Sequence, residues 1–235
     1  FGLHTYYQGQ DISKQVIDAL AAYNDGKTYE ERFDTLPYTP AFLHELNCIP
    51  SPYLRYYFYK DIMLQHAIKE AENGCCRAQV VKRIEQELFA KYADPALDVK
   101  PKELEQRGGA YYSDAACSLI DSIYNDRGDI QVVNTLNNGG CASFAADEVV
   151  EISSVITKEG PRPITVGRLP DQVEGLCRHI KSFEKLTAKA AIEGNRETAL
   201  FALTMNPLVQ DEALAKALLE ELMEAHREYL PQFYK

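Results

Sequence analysis

Residues 47–57 read Asn-Cys-Ile-Pro-Ser-Pro-Tyr-Leu-Arg-Tyr-Tyr, and they mark the point at which the chain changes from extended structure to helix. Pro50 and Pro52 restrict the backbone ahead of Tyr53 to extended geometry. Apolar and aromatic residues then recur at helical spacing from Leu54 to Ile62. A side chain at such a helix entrance can point into a cleft, which makes Tyr53 a candidate for chemistry.

Tyr53 has two possible roles, and its own sequence context leaves both open. A phenol has a pKa near 10, so it can act as a general base only where a nearby cation or metal lowers that pKa. The other possibility is packing, because four tyrosines and one phenylalanine lie within the seven positions 53–59, and such aromatic runs usually fill cores and interfaces.

The composition is that of a globular protein. The chain has 235 residues, of which 46% are hydrophobic, enough for one large domain or two small ones. A net charge of −10 with scattered basic residues argues against nucleic acid as a partner. No apolar run reaches the about 18 residues of a membrane span, and no secretory signal is recognisable. The chain starts at Phe1, so we expect further polypeptide before it.

The six cysteines suggest a reducing compartment. They form neither CxxC pairs nor the even framework of a small secreted domain, and the adjacent pair Cys75 and Cys76 is poorly placed for a disulfide. We therefore expect reduced thiols and a cytoplasmic protein. His44 and Cys48 stand at a spacing that could share a metal on a helix, but the prolines that follow would interrupt that helix, so we interpret the pair as accidental.

Hydrophobic periodicity predicts an α+β fold that is rich in helices and has a small antiparallel or mixed sheet. The helices are expected at 12–23, 53–72, 77–92, after 111, and at 171–193, 195–204 and 211–228. The helix after 111 is expected to bury Ala116, Leu119, Ile120 and Ile123. Short β-branched segments predict strands at 130–135, 148–156 and 163–167. No glycine-rich phosphate loop opens a parallel βαβ unit, so a dinucleotide would have to bind outside this chain.

Two further polar residues are candidates for ligand binding. Arg107 precedes Gly108 and Gly109, and a guanidinium next to glycines can bind a phosphate or carboxylate close to the backbone. Solvation near the start of a helix is the alternative for Arg107. Asn138, before a glycine, can occupy a left-handed turn or present its amide to a sugar hydroxyl, and the turn is the simpler interpretation.

Taken in order, several motifs of this chain resemble the C-terminal half of glycoside hydrolase family 4. The resemblance runs over nearly the whole chain, to the segment from Ala202-Leu203 to Pro207-Leu208, and an ordered set of motifs is more specific than any one of them. The motifs are Cys48 to Tyr57, then Lys102 through Arg-Gly-Gly-Ala-Tyr-Tyr-Ser to Asp114, then Val133-Asn-Thr-Leu-Asn-Asn-Gly139 and Val149-Val-Glu151.

The resemblance implies an unusual glycosidase mechanism. The family is an NAD-dependent exception to hydrolysis by two carboxylates. NAD⁺ oxidises the sugar at C3, a tyrosine removes the acidified C2 proton, the C1 substituent leaves, water adds, and hydride returns. A divalent metal, typically Mn²⁺, acidifies the C2 proton and favours a tyrosinate. The position that matches the family's tyrosine base is Tyr53.

The resemblance also implies a substrate. An Arg-Gly-Gly segment like that at Arg107 is common in members that act on β-linked 6-phosphoglucosides, which favours a 6-phospho-β-glucosidase acting on a phosphorylated disaccharide or an aryl glucoside. Arg107, Tyr112 and Asn138 are then expected to bind substrate. The fold implied is that of the C-terminal domain of lactate and malate dehydrogenase-like proteins, and the protein is expected to be a homo-oligomer, a dimer or tetramer.

The chain departs from the family pattern at two places. The family's metal-binding cysteine and histidine have no counterpart here, since His4 falls too late and Cys48 lies in another element. The nucleotide-binding domain is missing as well. The resemblance therefore implies that residues 1–235 form the C-terminal substrate and catalytic domain, that NAD and the metal bind mainly outside it, and that the chain alone is inactive.

Three alternatives remain at this point. The first is a 6-phospho-α-glucosidase of the same family. The second is a domain that serves mainly for assembly, with helices 171–193 and 211–228 packing subunits together. The third is 2-hydroxy-acid dehydrogenase chemistry on a related architecture, which the absence of a histidine beside Arg107 makes less suitable.

Overall fold

The structure of the chain is a computed structural model that describes residues 1–33, 36–107 and 111–235, with the backbone alone at positions 30, 33 and 107. The chain divides into two units. The first unit comprises Phe1–Lys60 and Leu169–Lys235, and the second comprises Asp61–Arg168.

The first unit is almost entirely helical. Its hairpin pairs β1 (Tyr6–Tyr7) with β2 (Gln10–Asp11) in antiparallel register around a turn at Gln8 and Gly9, both of which have positive φ. A separate bridge joins Gly2 to Ile49. Its elements are β1 Tyr6–Tyr7, β2 Gln10–Asp11, α1 Ser13–Asn24, α2 Tyr29–Phe33, α3 Pro40–Leu46, a 3₁₀ turn Pro52–Leu54, α4 Arg55–Phe58, α9 Asp171–Glu193, α10 Arg196–Met205, α11 Glu212–Ala225 and two 3₁₀ turns Arg227–Tyr229 and Pro231–Tyr234.

The core of the first unit lies under the 47–57 segment. One cluster of buried residues comprises Ile17, Ala21, Tyr38, Leu43 and Leu54, with Tyr57 and Tyr59 among the partly buried residues packed against it. A second cluster comprises Leu46, Cys48 and Val173. Thr39 caps α3 through its hydroxyl, which accepts the N–H of Phe42, and Pro40 occupies the first helical position, where a proline is well tolerated. The segment after α3 is thus anchored to a packed core on its inner side.

The second unit combines helices with a three-stranded sheet. β3 pairs with β4 and β4 pairs with β5, both antiparallel, and Val133 stands opposite Ile152. The elements are α5 Lys60–Glu72, α6 Arg77–Tyr92, α7 Glu103–Arg107, α8 Tyr112–Tyr124, β3 Ile130–Leu136, β4 Val149–Thr157 and β5 Gly160–Pro163. The prediction of a helix-rich fold with a small sheet is confirmed, and the strand pairing is antiparallel.

The face that α8 turns toward the sheet is polar, so the predicted burial of Ala116, Ile120 and Ile123 is wrong. Ile120 is 66% exposed, whereas Ser122 is 1% exposed. Gln131 on β3 donates to the hydroxyl of Ser122 at 2.8 Å, and it also reaches Ser118. These hydrogen bonds select the face that meets the sheet, and the apolar stripe points outward.

The opposite face of the same sheet is apolar and exposed. β4 buries alternate residues on the inner face, among them Ile152 and Ile156. The outer face follows the period of two that strands impose. Its large apolar members are Ile130, Val132, Leu136 and Val149, which are 64%, 63%, 48% and 48% exposed.

Two predicted elements require correction. The strand expected at 163–167 lies earlier, at Gly160–Pro163, because the turn forms at positions 158 and 159 and an edge strand tolerates proline. The helix expected at 53–72 is interrupted at Tyr59, whose φ of −129° and ψ of 42° are not helical.

Candidate active site

Tyr53 lies on the 3₁₀ turn Pro52–Leu54. Ser51 caps this turn, since its hydroxyl accepts the N–H of Tyr53 at 3.4 Å and its carbonyl accepts the N–H of Leu54 at 3.0 Å. Leu54 points into the core and is 7% exposed, while Tyr53 is 75% exposed. The turn therefore presents the phenol outward from an anchored backbone, as the prediction for a helix entrance requires.

The rest of the aromatic run divides between packing and exposure. Phe58 meets the Phe42 ring edge-on at 5.2 Å between centroids, and the Tyr59 hydroxyl donates to the carbonyl of Pro37 at 3.0 Å. Tyr57 also packs on the core. The packing interpretation is thus confirmed for the later members of the run, whereas Tyr53 remains available for contact with a ligand.

An apolar cavity of about 240 Å³ lies in the first unit. It shares Leu54 with the turn that carries Tyr53. Its wall is formed by Phe1, Leu54, Tyr57, Leu176, Cys177 and Ile180. None of these side chains is charged, so the cavity is unsuited to hold a phosphate, which needs arginine, lysine or backbone N–H groups.

Arg107 is the last residue of α7. Its side chain, together with Gly108 and Gly109, lies outside the residues that the structure describes, so its predicted role in substrate binding stays a prediction. Tyr112 is the first residue of α8 and is 80% exposed. Its phenol is accessible to a ligand.

Asn138 adopts the left-handed conformation with φ of 46°, which confirms the turn interpretation. Its N–H donates to the carbonyl of Ala146 at 2.9 Å, and its side chain is exposed. Binding of a sugar hydroxyl by this amide stays a prediction.

The preceding residue, Asn137, organises the loop and was not singled out from the sequence. It is fully buried, and its amide nitrogen lies 2.9, 2.8 and 3.1 Å from the carbonyls of Cys141, Phe144 and Ala145. The side-chain Oδ1 of Asn137 accepts the backbone N–H of Cys141 at 2.7 Å. The Asn-Asn-Gly-Gly sequence signals a turn, but it does not reveal which asparagine faces inward.

The predicted site residues fall in different units. Tyr53 belongs to the first unit, and Tyr112 and Asn138 belong to the second. The first unit therefore supplies the candidate base, and the second supplies the candidate substrate-binding groups whose side chains are described.

The described residues do not provide a metal site. Within ranges 1–33, 36–107 and 111–235 no group of three or more His, Cys, Asp or Glu side chains could hold a metal ion. His44 is directed to Asp18 at 3.5 Å, while Cys48 is buried and its pKa is raised to about 11 by burial. The interpretation of the pair as accidental stays a prediction. All six cysteines lie in the described ranges and are free thiols.

Among the helices that the structure describes, none is both long and apolar enough to cross a bilayer. The named strands of the described ranges pair antiparallel, so no parallel βαβ nucleotide-binding unit is formed by them.

Comparison with known proteins gives a family match over most of the chain. The family described as "Family 4 glycosyl hydrolase C-terminal domain" matches residues 1–209. The "Probable 6-phospho-beta-glucosidase" of Bacillus subtilis (strain 168) is 50% identical over 234 residues, which cover 100% of this chain and 53% of that protein. The 6-phospho-beta-glucosidase of Escherichia coli (strain K12) is 38% identical over 226 residues, covering 96% of this chain and 50% of that protein.

Solved structures agree with this match. The 6-phospho-beta glucosidase from Thermotoga maritima, crystallised with NAD and glucose-6-phosphate, superposes with a TM-score of 0.83 at 33% identity, covering 97% of this chain and 52% of that one. A crystal of the same protein with manganese, NAD⁺ and glucose-6-phosphate gives a TM-score of 0.82. The chain spans about half the length of the relatives it matches.

Proposed function

The chain belongs to family 4 of the glycosyl hydrolases, of which it carries the C-terminal domain, and from this we propose that it is part of a 6-phospho-β-glucosidase. The observation that carries the proposal is the 50% identity to a relative with this name, which extends over all of this chain. The proposed substrates are 6-phosphorylated β-linked disaccharides and aryl β-glucosides. The Arg-Gly-Gly segment at Arg107 favours the β-linked over the α-linked substrates.

We assign Tyr53 the role of the base that takes the proton from C2 of the sugar. Its exposed phenol and its anchored backbone suit a group that must reach a ligand without rearranging. Arg107, Tyr112 and Asn138 are proposed to bind the substrate. In this assignment residues 1–235 form the substrate and catalytic domain, with the architecture of the C-terminal domain of lactate and malate dehydrogenase-like proteins.

We propose that NAD and a divalent metal, Mn²⁺, serve the complete protein and bind mainly to residues outside this chain. The described residues do not fit either group, since they offer neither a cluster of three metal ligands nor a parallel nucleotide-binding unit. When bound, NAD and the metal supply the redox and Lewis-acid chemistry that makes the C2 proton acidic. The chain alone is therefore expected to be inactive, and the six free thiols support a cytoplasmic location.

The test is hydrolysis of a 4-nitrophenyl 6-phospho-β-glucoside by the complete protein. We expect release of nitrophenol only with NAD⁺, Mn²⁺ and a reductant present, and loss of the activity when a chelator removes the metal. The 6-phospho-α-anomer and the unphosphorylated β-glucoside serve as controls. Hydrolysis of the α-anomer in preference to the β-anomer would replace the proposal with a 6-phospho-α-glucosidase, and activity without NAD⁺ would contradict it.

We also propose that the complete protein forms a homo-oligomer, a dimer or tetramer, through helices of the first unit. The exposed apolar residues Ile192, Phe201 and Leu222 on α9, α10 and α11 support this, with 84%, 57% and 49% of their surfaces accessible. Light scattering distinguishes the cases: a monodisperse dimer or tetramer supports the interface, and a monomer excludes it.

A further inference from the structure

The direction of the Tyr53 phenol depends on the backbone beneath it. The ring is largely exposed, whereas the next residue, Leu54, is buried among core residues that include Tyr38 and Leu43. The packing of Leu54 fixes the C-terminal end of the 3₁₀ turn. Besides rotation about its own χ1, the phenol is moved by rotation of the peptide plane between Pro52 and Tyr53.

Both polar groups of that peptide plane are held by side chains. Its N–H, which belongs to Tyr53, donates to the hydroxyl of Ser51 at 3.4 Å. Its carbonyl, which belongs to Pro52, accepts the Nε–H of Arg55 at 2.8 Å. The second contact is the shorter one and its donor is charged, so it is the stronger of the two.

Arg55 is tied to this turn through its side chain and to α4 through its backbone. It opens α4, where its carbonyl accepts the N–H of Tyr59 at 2.9 Å. Its side chain is half-buried, and its charge acts on the phenol of Tyr38, which lies in the core. The side chain of Arg55 thus reaches from the start of α4 back to the Pro52 carbonyl.

We propose that Arg55 is a positioning residue that fixes the Pro52–Tyr53 peptide and so aims the Tyr53 phenol at C2 of the sugar. The inference rests on the proposed function, because it needs Tyr53 to act as the base. The Nε–H of Arg55 is directed to the backbone of the turn, so in this proposal its removal affects proton transfer more than substrate affinity. A role in folding alone would not change the balance between the chemical steps.

The test uses Arg55→Met and Arg55→Lys in the complete protein, with a 6-phospho-β-glucoside that carries hydrogen or deuterium at C2. Arg55→Met is expected to lower kcat about 100-fold, the effect of misplacing a reacting group by an ångström, with KM within about threefold of wild type. The C2 isotope effect on kcat is expected to rise, because transfer to a misplaced base becomes slower than the other steps. Arg55→Lys keeps a cationic donor and is expected to recover about tenfold of the loss.

The matched control is Arg162→Met in the second unit, where an exposed guanidinium pairs with Glu159 at 2.7 Å. It is expected to leave kcat and the isotope effect unchanged. Thermal unfolding shows that each variant is folded, and Arg55→Gln replaces the Met variant where that one fails to fold. An unchanged kcat, or a lower kcat with an unchanged C2 isotope effect, would overturn the role of Arg55.

Failure of the proposed function has a different signature. Wild-type protein that does not hydrolyse the phosphoglucoside with any cofactor mixture, or that releases glucose 6-phosphate without deuterium at C2 in D₂O, overturns the proposed function and this inference with it. Wild-type protein that passes both tests, with Arg55 variants that behave like it, overturns the positioning role alone.

Discussion

Replacing Tyr38 by phenylalanine is expected to stabilise the first unit. Tyr38 is fully buried, and its hydroxyl has no hydrogen-bond partner within residues 1–33, 36–107 and 111–235. Its ring stacks on Phe42 at 5.2 Å and meets Phe58 edge-on at 6.2 Å, contacts that a phenyl ring keeps. A buried hydroxyl without a partner costs about 1–3 kcal/mol, so Tyr38→Phe should raise the free energy of unfolding by about 1–2 kcal/mol.

The same substitution should alter the stability at high pH. Burial raises the pKa of Tyr38 from 10.0 to about 12. The folded state therefore keeps a proton that the unfolded state releases between those values, and stability falls as pH rises through this window. By linkage the loss is about 1.4 kcal/mol at pH 11 and about 2.3 kcal/mol at pH 12, and Tyr38→Phe should lack this contribution.

The assay is urea unfolding of the complete protein at pH 7 and at steps up to pH 11, followed through the midpoint at constant m-value. Tyr59→Phe is the matched control, because its hydroxyl donates to the carbonyl of Pro37 at 3.0 Å. Loss of this hydrogen bond in Tyr59→Phe should lower the free energy of unfolding by about 1 kcal/mol at pH 7. A Tyr38→Phe variant less stable than wild type at pH 7 would contradict this prediction, since it would mean that the hydroxyl has a hydrogen-bond partner.

Three further substitutions test the loops and the C-terminal turn by thermal unfolding and hydrogen exchange. Asn137→Ala should destabilise the second unit by more than about 3 kcal/mol and expose the amides of the 137–148 loop to exchange, because three carbonyls lose a buried donor. Asn138→Ala, the control at the neighbouring position, should lower the free energy of unfolding by only about 1–2 kcal/mol, the strain of an alanine in the left-handed conformation. An equal loss of stability in the two variants would contradict the assignment of Asn137 as the inward-facing amide. Gly194→Ala should destabilise the packing of the 3₁₀ turn Pro231–Tyr234 against the end of α9 by more than about 2 kcal/mol. The added Cβ would lie 2.0 Å from the carbonyl oxygen of Gln232, and the φ of Gly194 is +66°. An unchanged stability would mean that this turn does not pack against Gly194.

Long periodic helices were the part of the fold that the sequence predicted best. The predicted helices 77–92 and 171–193 match α6 and α9 in full, because their apolar stripes run over many turns. Glycines also mark their limits: Gly74 precedes α6, and Gly194 ends α9. The hydrophobic period alone could not predict which face of α8 is buried. That face depends on whether the neighbouring sheet offers apolar or hydrogen-bonding groups, and Gln131 offers a hydrogen-bond donor to Ser122.

The candidate site was predictable only one residue at a time. The prolines at 50 and 52 mark the turn of Tyr53 through their fixed backbone, which is a local property. The contact of Arg55 with the Pro52 carbonyl and the inward amide of Asn137 depend on side-chain rotamers and on packing. Such contacts leave no periodic signal in the sequence, so the structure was needed to find them.

The proposed role of Tyr53 is tested most directly by hydrolysis of a 6-phospho-β-glucoside in D₂O by the complete protein with NAD⁺ and Mn²⁺. If Tyr53 removes the C2 proton, the glucose 6-phosphate released should carry deuterium at C2, as detected by NMR. Tyr53→Phe should lower kcat by about 10²–10⁴-fold, the contribution of a general base. Tyr229→Phe, which alters a phenol of similar exposure at 73%, should leave the rate unchanged. Glucose 6-phosphate with hydrogen alone at C2, or full activity in Tyr53→Phe, would contradict the account.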